Sequence, residues 1–330
     1  MLVLAITMQV IGSFLFAGGA MLQSLAVKST FSRDGHVSDN RLTLAGLFKL
    51  LLIPKWSLGL LCVLIGAVIN FSALAIAPVA VVQPVGVVAV IWSVLFASRI
   101  HGHRVSKNLW LAVAITVVGL VGFTLISTQT ATGNKEAHLT PLLVSFGVVM
   151  SIALVLSLVA PRAQPWLKAA LWSSIGAVLY GMATGMLKAT ADLILRYHHS
   201  FLDPIVLVAI GMLLVGFIGG AWMIQQGYAS GPAEITVATM TTVDPVVAVL
   251  FGLIVLGEGQ NMTWLSELGM VLTGAVAILG VVLLSHYHPD ALKEREARAK
   301  EADLSQTPAA QCLPGRWTRP ERRWHSCAAC

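Results

Sequence analysis

Long apolar runs separated by short polar segments fill most of the chain. Each run is close to twenty residues long, which is the length that a helix needs to cross about 30 Å of hydrocarbon at about 1.5 Å per residue. Charge, glycine or proline interrupts the pattern, as in RIHGHRVSKN at 99–108. The pattern predicts nine membrane-spanning helices, near residues 4–27, 57–77, 79–98, 108–127, 139–160, 169–190, 204–226, 233–256 and 264–285.

Composition supports this all-α polytopic membrane fold. Of the 330 residues, 57% are hydrophobic and only 11% are charged, which excludes an ordinary soluble domain. After the last apolar run the composition changes abruptly to charged and polar residues without an apolar period. We therefore predict a disordered cytoplasmic tail over 286–330.

The basic residues are distributed unevenly between the two sets of loops. Because successive loops alternate across the membrane, all but three of the 21 lysines and arginines fall on one side, the exceptions being Lys135, Lys188 and Arg196. The positive-inside rule places the basic side in the cytoplasm. We expect a protein of the plasma (inner) membrane, with its N-terminus outside and its C-terminus inside. This topology explains the net charge of +6, so no nucleic-acid partner is predicted.

Two parts of the chain resemble each other weakly. The aligned positions are Pro78 with Pro232 and Gly66 with Gly220 at an offset of 154 residues, and IGSFLF (11–16) with IGAVLY (175–180) at an offset of 164. Helices one to four (1–127) then correspond to helices six to nine (164–285). The connector helix five (128–163) reverses the second unit relative to the first. Such inverted repeats are typical of secondary transporters.

Two predicted hairpins also carry a family resemblance. The segment ALAIAPVAVVQPVGVVAVIWSVLFAS at 73–98, with Pro78, Pro84 and Gly86, resembles the hairpin of NIPA-type magnesium transporters. The segment GPAEITVATMTTVDPVVAVLFGLIVLGEG at 231–259, with Pro232 in its turn, resembles the end of an EamA-type repeat. Both types belong to the drug/metabolite transporter superfamily. The resemblance covers about residues 4–285 and implies a secondary transporter.

Asp244 interrupts the eighth apolar run and is followed by Pro245. It is twelfth in the run 233–256, near the bilayer centre, where inserting an aspartate costs about 2.5 to 3.5 kcal/mol. We expect its carboxyl group to face a cavity, to be paired or to be protonated. Because Pro245 lacks an N–H and would clash with the carbonyl of Thr241, we predict a helix break at Pro245. Asp244 is then either a substrate or ion ligand, with Thr241 beside it, or the N-cap of a half-helix.

A polar stripe on the sixth helix is the candidate for the opposite wall of the site. Tyr180, Thr184 and Lys188 follow each other at intervals of four residues and share one face with Ser173. Lys188 is expected either to pair with Asp244 or to extend to the outer interface. Other polar residues within the spans are either further ligands or interhelical hydrogen-bonding groups: Asn70, Ser72, Gln9, Ser13, Gln23, Gln225 and Gln226.

These features predict a secondary transporter that moves a small solute by alternating access between the two repeats. Two substrate classes remain open. One is Mg²⁺ or another divalent cation, held by Asp244 with Asn70 and water, and the other is a small metabolite or drug. A non-transporting membrane scaffold or sensor is the alternative, which the repeat disfavours.

The sequence carries no pattern for catalysis or for a bound cofactor. It contains no Walker loop and no recognisable set of nucleophile, base and orienting group, so we predict neither an enzyme nor a cofactor. Glu234 is expected either to attract cations or, by preference, to be a solvated acid at the start of the eighth helix. The expected partners are the solute and the lipid bilayer, and a homodimer remains open.

Overall fold

The structure is a computed structural model that describes residues 2–33, 49–76, 85–101, 106–130, 136–259 and 262–287. These ranges contain nine α-helices and no β-strand, which confirms the predicted all-α class. The helices are α1 (Leu2–Arg33), α2 (Pro54–Ile76), α3 (Val88–His101), α4 (Lys107–Thr130), α5 (Leu139–Val159), α6 (Pro165–Leu195), α7 (Pro204–Ser230), α8 (Ala233–Ile254) and α9 (Trp264–Tyr287). The first two residues of the predicted tail, His286 and Tyr287, belong to α9, and the rest of it, with Pro78 and Pro84 of the first hairpin, lies outside the described residues.

The helices are those of a multi-pass integral membrane protein. Seven of them, all except α2 and α3, are long and apolar enough to cross a membrane. The searched parts of α2 and α3 are shorter apolar segments, Pro54–Asn70 and Val88–Ile100. The outermost helix, α5, packs mainly against α6 and exposes most of its apolar side chains, as a lipid-facing helix would.

α8 is continuous, so the predicted helix break at Pro245 is wrong. The helix runs from Ala233 to Ile254 with Pro245 inside it. A proline removes only one backbone donor, and the packing of α8 against α6, α3 and α9 holds the remaining turns together. The N-cap position of α8 belongs to Pro232. Asp244 therefore lies within a helix and has no capping role.

Glycines allow the first two helices of each half to approach closely. A Cβ atom at Gly12 of α1 would lie 3.2 Å from the carbonyl oxygen of Gly66 in α2. A Cβ atom at Gly176 of α6 would lie 2.9 Å from the carbonyl oxygen of Gly220 in α7. The predicted repeat aligns these two glycine pairs, and both α1–α2 and α6–α7 pack through them. The inverted orientation of the halves remains a prediction.

The two halves meet along several pairs of helices. α4 packs along α9, α3 packs against α8, and α1 contacts both α7 and α8. The α4–α9 approach depends on small residues, because a Cβ atom at Gly119 would collide with the backbone of Ala277 and one at Gly280 with that of Thr116. These contacts leave a space beside α8, near the middle of the bundle.

Candidate ion site around Asp244

A cavity of about 350 Å³ lies between α1, α2, α4, α8 and the first residues of α3. Its walls are mostly apolar, with six polar side chains: Gln9, Ser13, Asn70, Thr124, Thr241 and Asp244. Among these described lining residues, Asp244 is the one ionisable group. The cavity therefore combines a single carboxyl group with several neutral oxygen-bearing side chains.

The cavity brings together seven of the candidate residues named from the sequence, two of which are Gln9 and Ser13 of α1. Asp244, Thr241 and Pro245 contribute from α8, Asn70 from α2, and Gly86 from the segment before α3. Asn70 and Asp244 are distant in sequence and belong to different halves of the chain. The structure thus places the predicted acid and one predicted amide in a single site.

The carboxyl group of Asp244 is not neutralised within the described part of the chain. The side chain is half-buried, and no described residue forms a hydrogen bond or an ion pair with it. Its neighbour Thr241 donates its hydroxyl proton to the backbone carbonyls of Val237, at 2.9 Å, and Ala238, at 3.1 Å. A carboxyl group without a partner at this depth is available to a cation or to a proton.

Gln9 of α1 contributes a buried amide to the cavity wall. The residue is 2% exposed, and its Oε1 atom has no hydrogen-bond partner. A Cβ atom at Gly86 would lie 2.8 Å from Gln9 Nε2, so the glycine provides the space in which this amide fits. The pattern of polar residues alone did not separate Gln9 from amides that only join helices.

The polar stripe of α6 does not line the cavity. Lys188 Nζ pairs with Oε1 of Glu258, and Thr184 is exposed. Tyr180 packs against Phe217 at a ring-centroid distance of 5.8 Å. The alternative in which Lys188 pairs with Asp244 is wrong in this structure, since the ammonium group is engaged elsewhere.

The sequence pattern does not identify Glu258 as the partner of Lys188, because the position of Glu258 depends on the loop that follows α8. Gly257 adopts a left-handed backbone conformation, with φ at 64°, and the N–H of Glu258 then donates to the carbonyl of Gly252 at 3.1 Å. This turn folds the carboxylate back against Gly252 and toward α6. The one sequence signal was the Gly-Glu-Gly at the end of the eighth apolar run.

A buried hydrogen-bonded triad joins α1 and α2 to α7. Gln225 of α7 accepts a hydrogen bond from Trp56 Nε1 at 3.1 Å and donates one to Gln23 Oε1 at 2.9 Å. Apolar side chains of α1, α2, α3, α7 and α8 pack around these groups. The triad lies near the start of α2, whereas the cavity is lined by later residues of α2, from Val63 to Asn70. Gln23 and Gln225 thus take the interhelical role that the sequence left open.

The start of α8 is buried, so the prediction of a solvated Glu234 is wrong. Glu234 is only 3% exposed. Ala233 and Val237 pack in one cluster with Ala26 and Val27 of α1, and this contact covers the first turn of α8. A hydrogen bond of 2.9 Å between Ser173 and Thr236 also holds this turn against α6.

A second charged group lies outside the spans, between the start of α5 and the α6–α7 loop. His199 Nε2 lies 2.9 Å from Glu136 Oε1, and His199 Nδ1 lies 2.9 Å from Asp203 Oδ2. The hydrogen bonds with Glu136 and then Asp203 raise the pKa of His199 above its usual value. Since each ring nitrogen faces a carboxylate, the arrangement favours the protonated imidazole.

No clustered metal centre occurs in the described ranges. They contain no group of three or more His, Cys, Asp or Glu side chains that could hold a metal ion. A cation at Asp244 would therefore take most of its ligands from water and neutral oxygens.

Comparisons with known proteins identify related sequences. The family model described as magnesium transporter NIPA matches residues 2–289. An uncharacterized protein of Corynebacterium glutamicum is 25% identical over 255 residues, which cover 75% of this chain and 84% of that protein. A probable magnesium transporter NIPA9 of Arabidopsis thaliana is 24% identical over 244 residues, which cover 69% of this chain and 68% of that protein. No solved structure matches the chain.

Proposed function

We propose that this chain, which belongs to the magnesium transporter NIPA family, carries Mg²⁺ across the membrane through the cavity at Asp244. The observation that supports this proposal most is that Asp244 is the one ionisable group among the described lining residues and forms no hydrogen bond or ion pair with a described residue. A carboxylate near the membrane centre is costly unless a cation or a proton compensates it. The family supports a cation as that partner.

The size and chemistry of the cavity suit a hydrated magnesium ion. At about 30 Å³ per water molecule, a cavity of about 350 Å³ has room for Mg²⁺ with an octahedral shell of water. Mg²⁺ gives up its water reluctantly and is commonly held through one or two carboxylates. A single Asp244 with neutral oxygens around it fits this mode of binding. The engagement of Lys188 by Glu258 also leaves the negative charge of Asp244 uncompensated by a lysine.

The arrangement of the bundle supports alternating access. The cavity lies near the middle of the bundle, while packed side chains and the Gln23–Gln225–Trp56 triad fill the space near the start of α2. Transport then requires the two halves to rock, so that the packed region near the start of α2 opens while the cavity at Asp244 closes to its own side. The equivalent glycine contacts in α1–α2 and α6–α7 are what two related halves would provide.

Uptake into proteoliposomes that contain a Mg²⁺-sensitive dye tests the proposal. We expect the native chain to load the vesicles and Asp244→Asn to reduce the initial rate at least tenfold, because the amide keeps the shape and removes the charge. Glu267→Gln is the matched control, since it neutralises an exposed acid of α9 outside the cavity. Absence of Mg²⁺ uptake by the native chain would refute the function, and full uptake by Asp244→Asn would refute the site.

The proposed orientation has the N-terminus and the Asp244 cavity toward the outside. A single cysteine at position 135 tests it in a background without the native cysteines: Cys62, Cys312, Cys327 and Cys330. We expect a membrane-impermeant maleimide to label Lys135→Cys in intact cells. If position 135 is labelled only after the cells are opened, the orientation is the opposite of the proposed one.

A further inference from the structure

We propose that Gln9 is a second, neutral ligand of the transported cation, so that α1 and α8 hold the cargo jointly. This inference rests on the proposed function and adds a residue to the same site. The contact is made by the amide group, turned so that its oxygen faces the ion or a water molecule of its shell.

The first argument is the unpartnered state of a deeply buried polar atom. Gln9 is 2% exposed, and its Oε1 atom has no hydrogen-bond partner. Native proteins pair nearly all such atoms, so an unpaired one in the wall of a cavity indicates a missing ligand or water. Gly86, which leaves space for the Gln9 amide and also lines the cavity, keeps this group at the site.

The second argument is a comparison with a glutamine that joins helices in the same bundle. Gln225 uses both ends of its amide, since its oxygen accepts from Trp56 and its nitrogen donates to Gln23. The oxygen of Gln9 has no such contact. A purely structural role, as seen at Gln225, therefore does not account for Gln9.

The third argument concerns the hydroxyl groups that share the cavity wall. Ser13 donates its proton to the carbonyl of Val10 at 2.8 Å, and Thr241 donates to Val237 at 2.9 Å. With those protons engaged, the two hydroxyl oxygens can only accept. Together with Gln9 Oε1 and Asp244, they form a set of acceptors, which is the pattern that a hydrated cation requires.

Two substitutions of Gln9 change the polarity of its side chain while keeping nearly the same size. Gln9→Leu removes the oxygen at similar volume, and Gln9→Glu adds a negative charge at nearly the same shape. We expect the apparent Kd for Mg²⁺, from MgCl₂-dependent thermal stabilisation of the purified full chain, to rise about threefold to tenfold in Gln9→Leu. We expect it to fall by a similar factor in Gln9→Glu, with slower uptake because release is slower.

The control is Ser93→Ala, in a buried residue of α3 whose hydroxyl already bonds to Val90 at 2.8 Å and which is not part of the cavity wall. It should leave the Kd unchanged. If both Gln9 variants bind Mg²⁺ as the native chain does, the inference is overturned. If Gln9→Leu does not fold, an unchanged Kd in Gln9→Glu overturns it equally.

The experiment also separates this inference from the proposal on which it rests. If the native chain takes up Mg²⁺, Asp244→Asn does not, and the Gln9 variants behave as native, then only the role of Gln9 is refuted. If the native chain neither binds nor moves Mg²⁺, the function and the role of Gln9 are both refuted.

Discussion

Gly181 of α6 lies directly against the backbone carbonyl oxygen of Asp244 in α8. A Cβ atom at position 181 would come within 2.6 Å of that oxygen, which is too close for any side chain. The two helices thus cross at the residue on which the proposed site is centred. The position of Asp244 depends on this contact as much as on its own helix.

Gly181→Ala should force α6 and α8 apart and destabilise the protein. Overpacking of this kind costs about 1 to 3 kcal/mol, so we expect a lower Tm in thermal unfolding of the purified chain. Gly147→Ala on α5 is the matched control, because nothing lies within 4 Å of a Cβ atom placed there. Alanine is the better helix former, so this control should keep or slightly raise the Tm. Equal Tm values for the two variants would contradict the close crossing.

Lys188→Gln should leave Mg²⁺ binding intact, because the ammonium group pairs with Glu258 and not with Asp244. Lys188 is 51% exposed, so the pair should contribute no more than about 1 kcal/mol to stability. A double-mutant cycle with Lys188→Gln and Glu258→Gln measures this coupling. We expect the Kd for Mg²⁺ to change less than twofold in all three variants. Loss of uptake in Lys188→Gln as complete as in Asp244→Asn would place Lys188 in the site after all.

His199 should make stability depend on pH outside the membrane. Its pKa is raised in the folded protein above the value of about 6.5 expected in the unfolded chain. The stabilising contribution is therefore fully present below about pH 6.5 and is lost as the pH rises through the folded pKa. The difference in Tm between the native chain and His199→Gln should be largest near pH 6 and should shrink in alkaline buffer.

The neighbouring residue provides the control for this titration. His198 adopts a left-handed backbone conformation, with φ at 58°, which asparagine tolerates well. His198→Asn should follow the native pH profile because it leaves the contacts of His199 with Glu136 and Asp203 in place. If the difference in Tm between the native chain and His199→Gln did not depend on pH, it would contradict a protonated His199 bound to Glu136 and Asp203.

The number and type of helices could be predicted from the sequence because they depend on local properties. A run of about twenty apolar residues has few stable alternatives in a bilayer, since its backbone must satisfy its own hydrogen bonds. The resemblance to the NIPA family, indicated by the hairpin at 73–98, is confirmed by the family match. The depth of Asp244 also follows from simple counting along the eighth run.

The continuity of α8 could not be predicted in the same way. Proline weakens a helix locally, and this local rule favoured a break at Pro245. The neighbouring helices decided the outcome, since their packing around α8 compensates for the loss of one hydrogen bond. Burial of Glu234 beneath α1 was likewise a consequence of packing.

By itself the sequence determined the helical class, the family, and the presence of a carboxyl group in the middle of an apolar run. Only the tertiary structure decided which further groups lie near that carboxyl: it placed Gln9 in the same cavity as the predicted Asn70, and it paired Lys188 with Glu258. The physical reason is that apolar length and local periodicity act within one segment. The neighbours of a side chain depend on contacts between segments far apart in the chain. Those contacts depend in turn on close helix crossings such as that of Gly181 with Asp244.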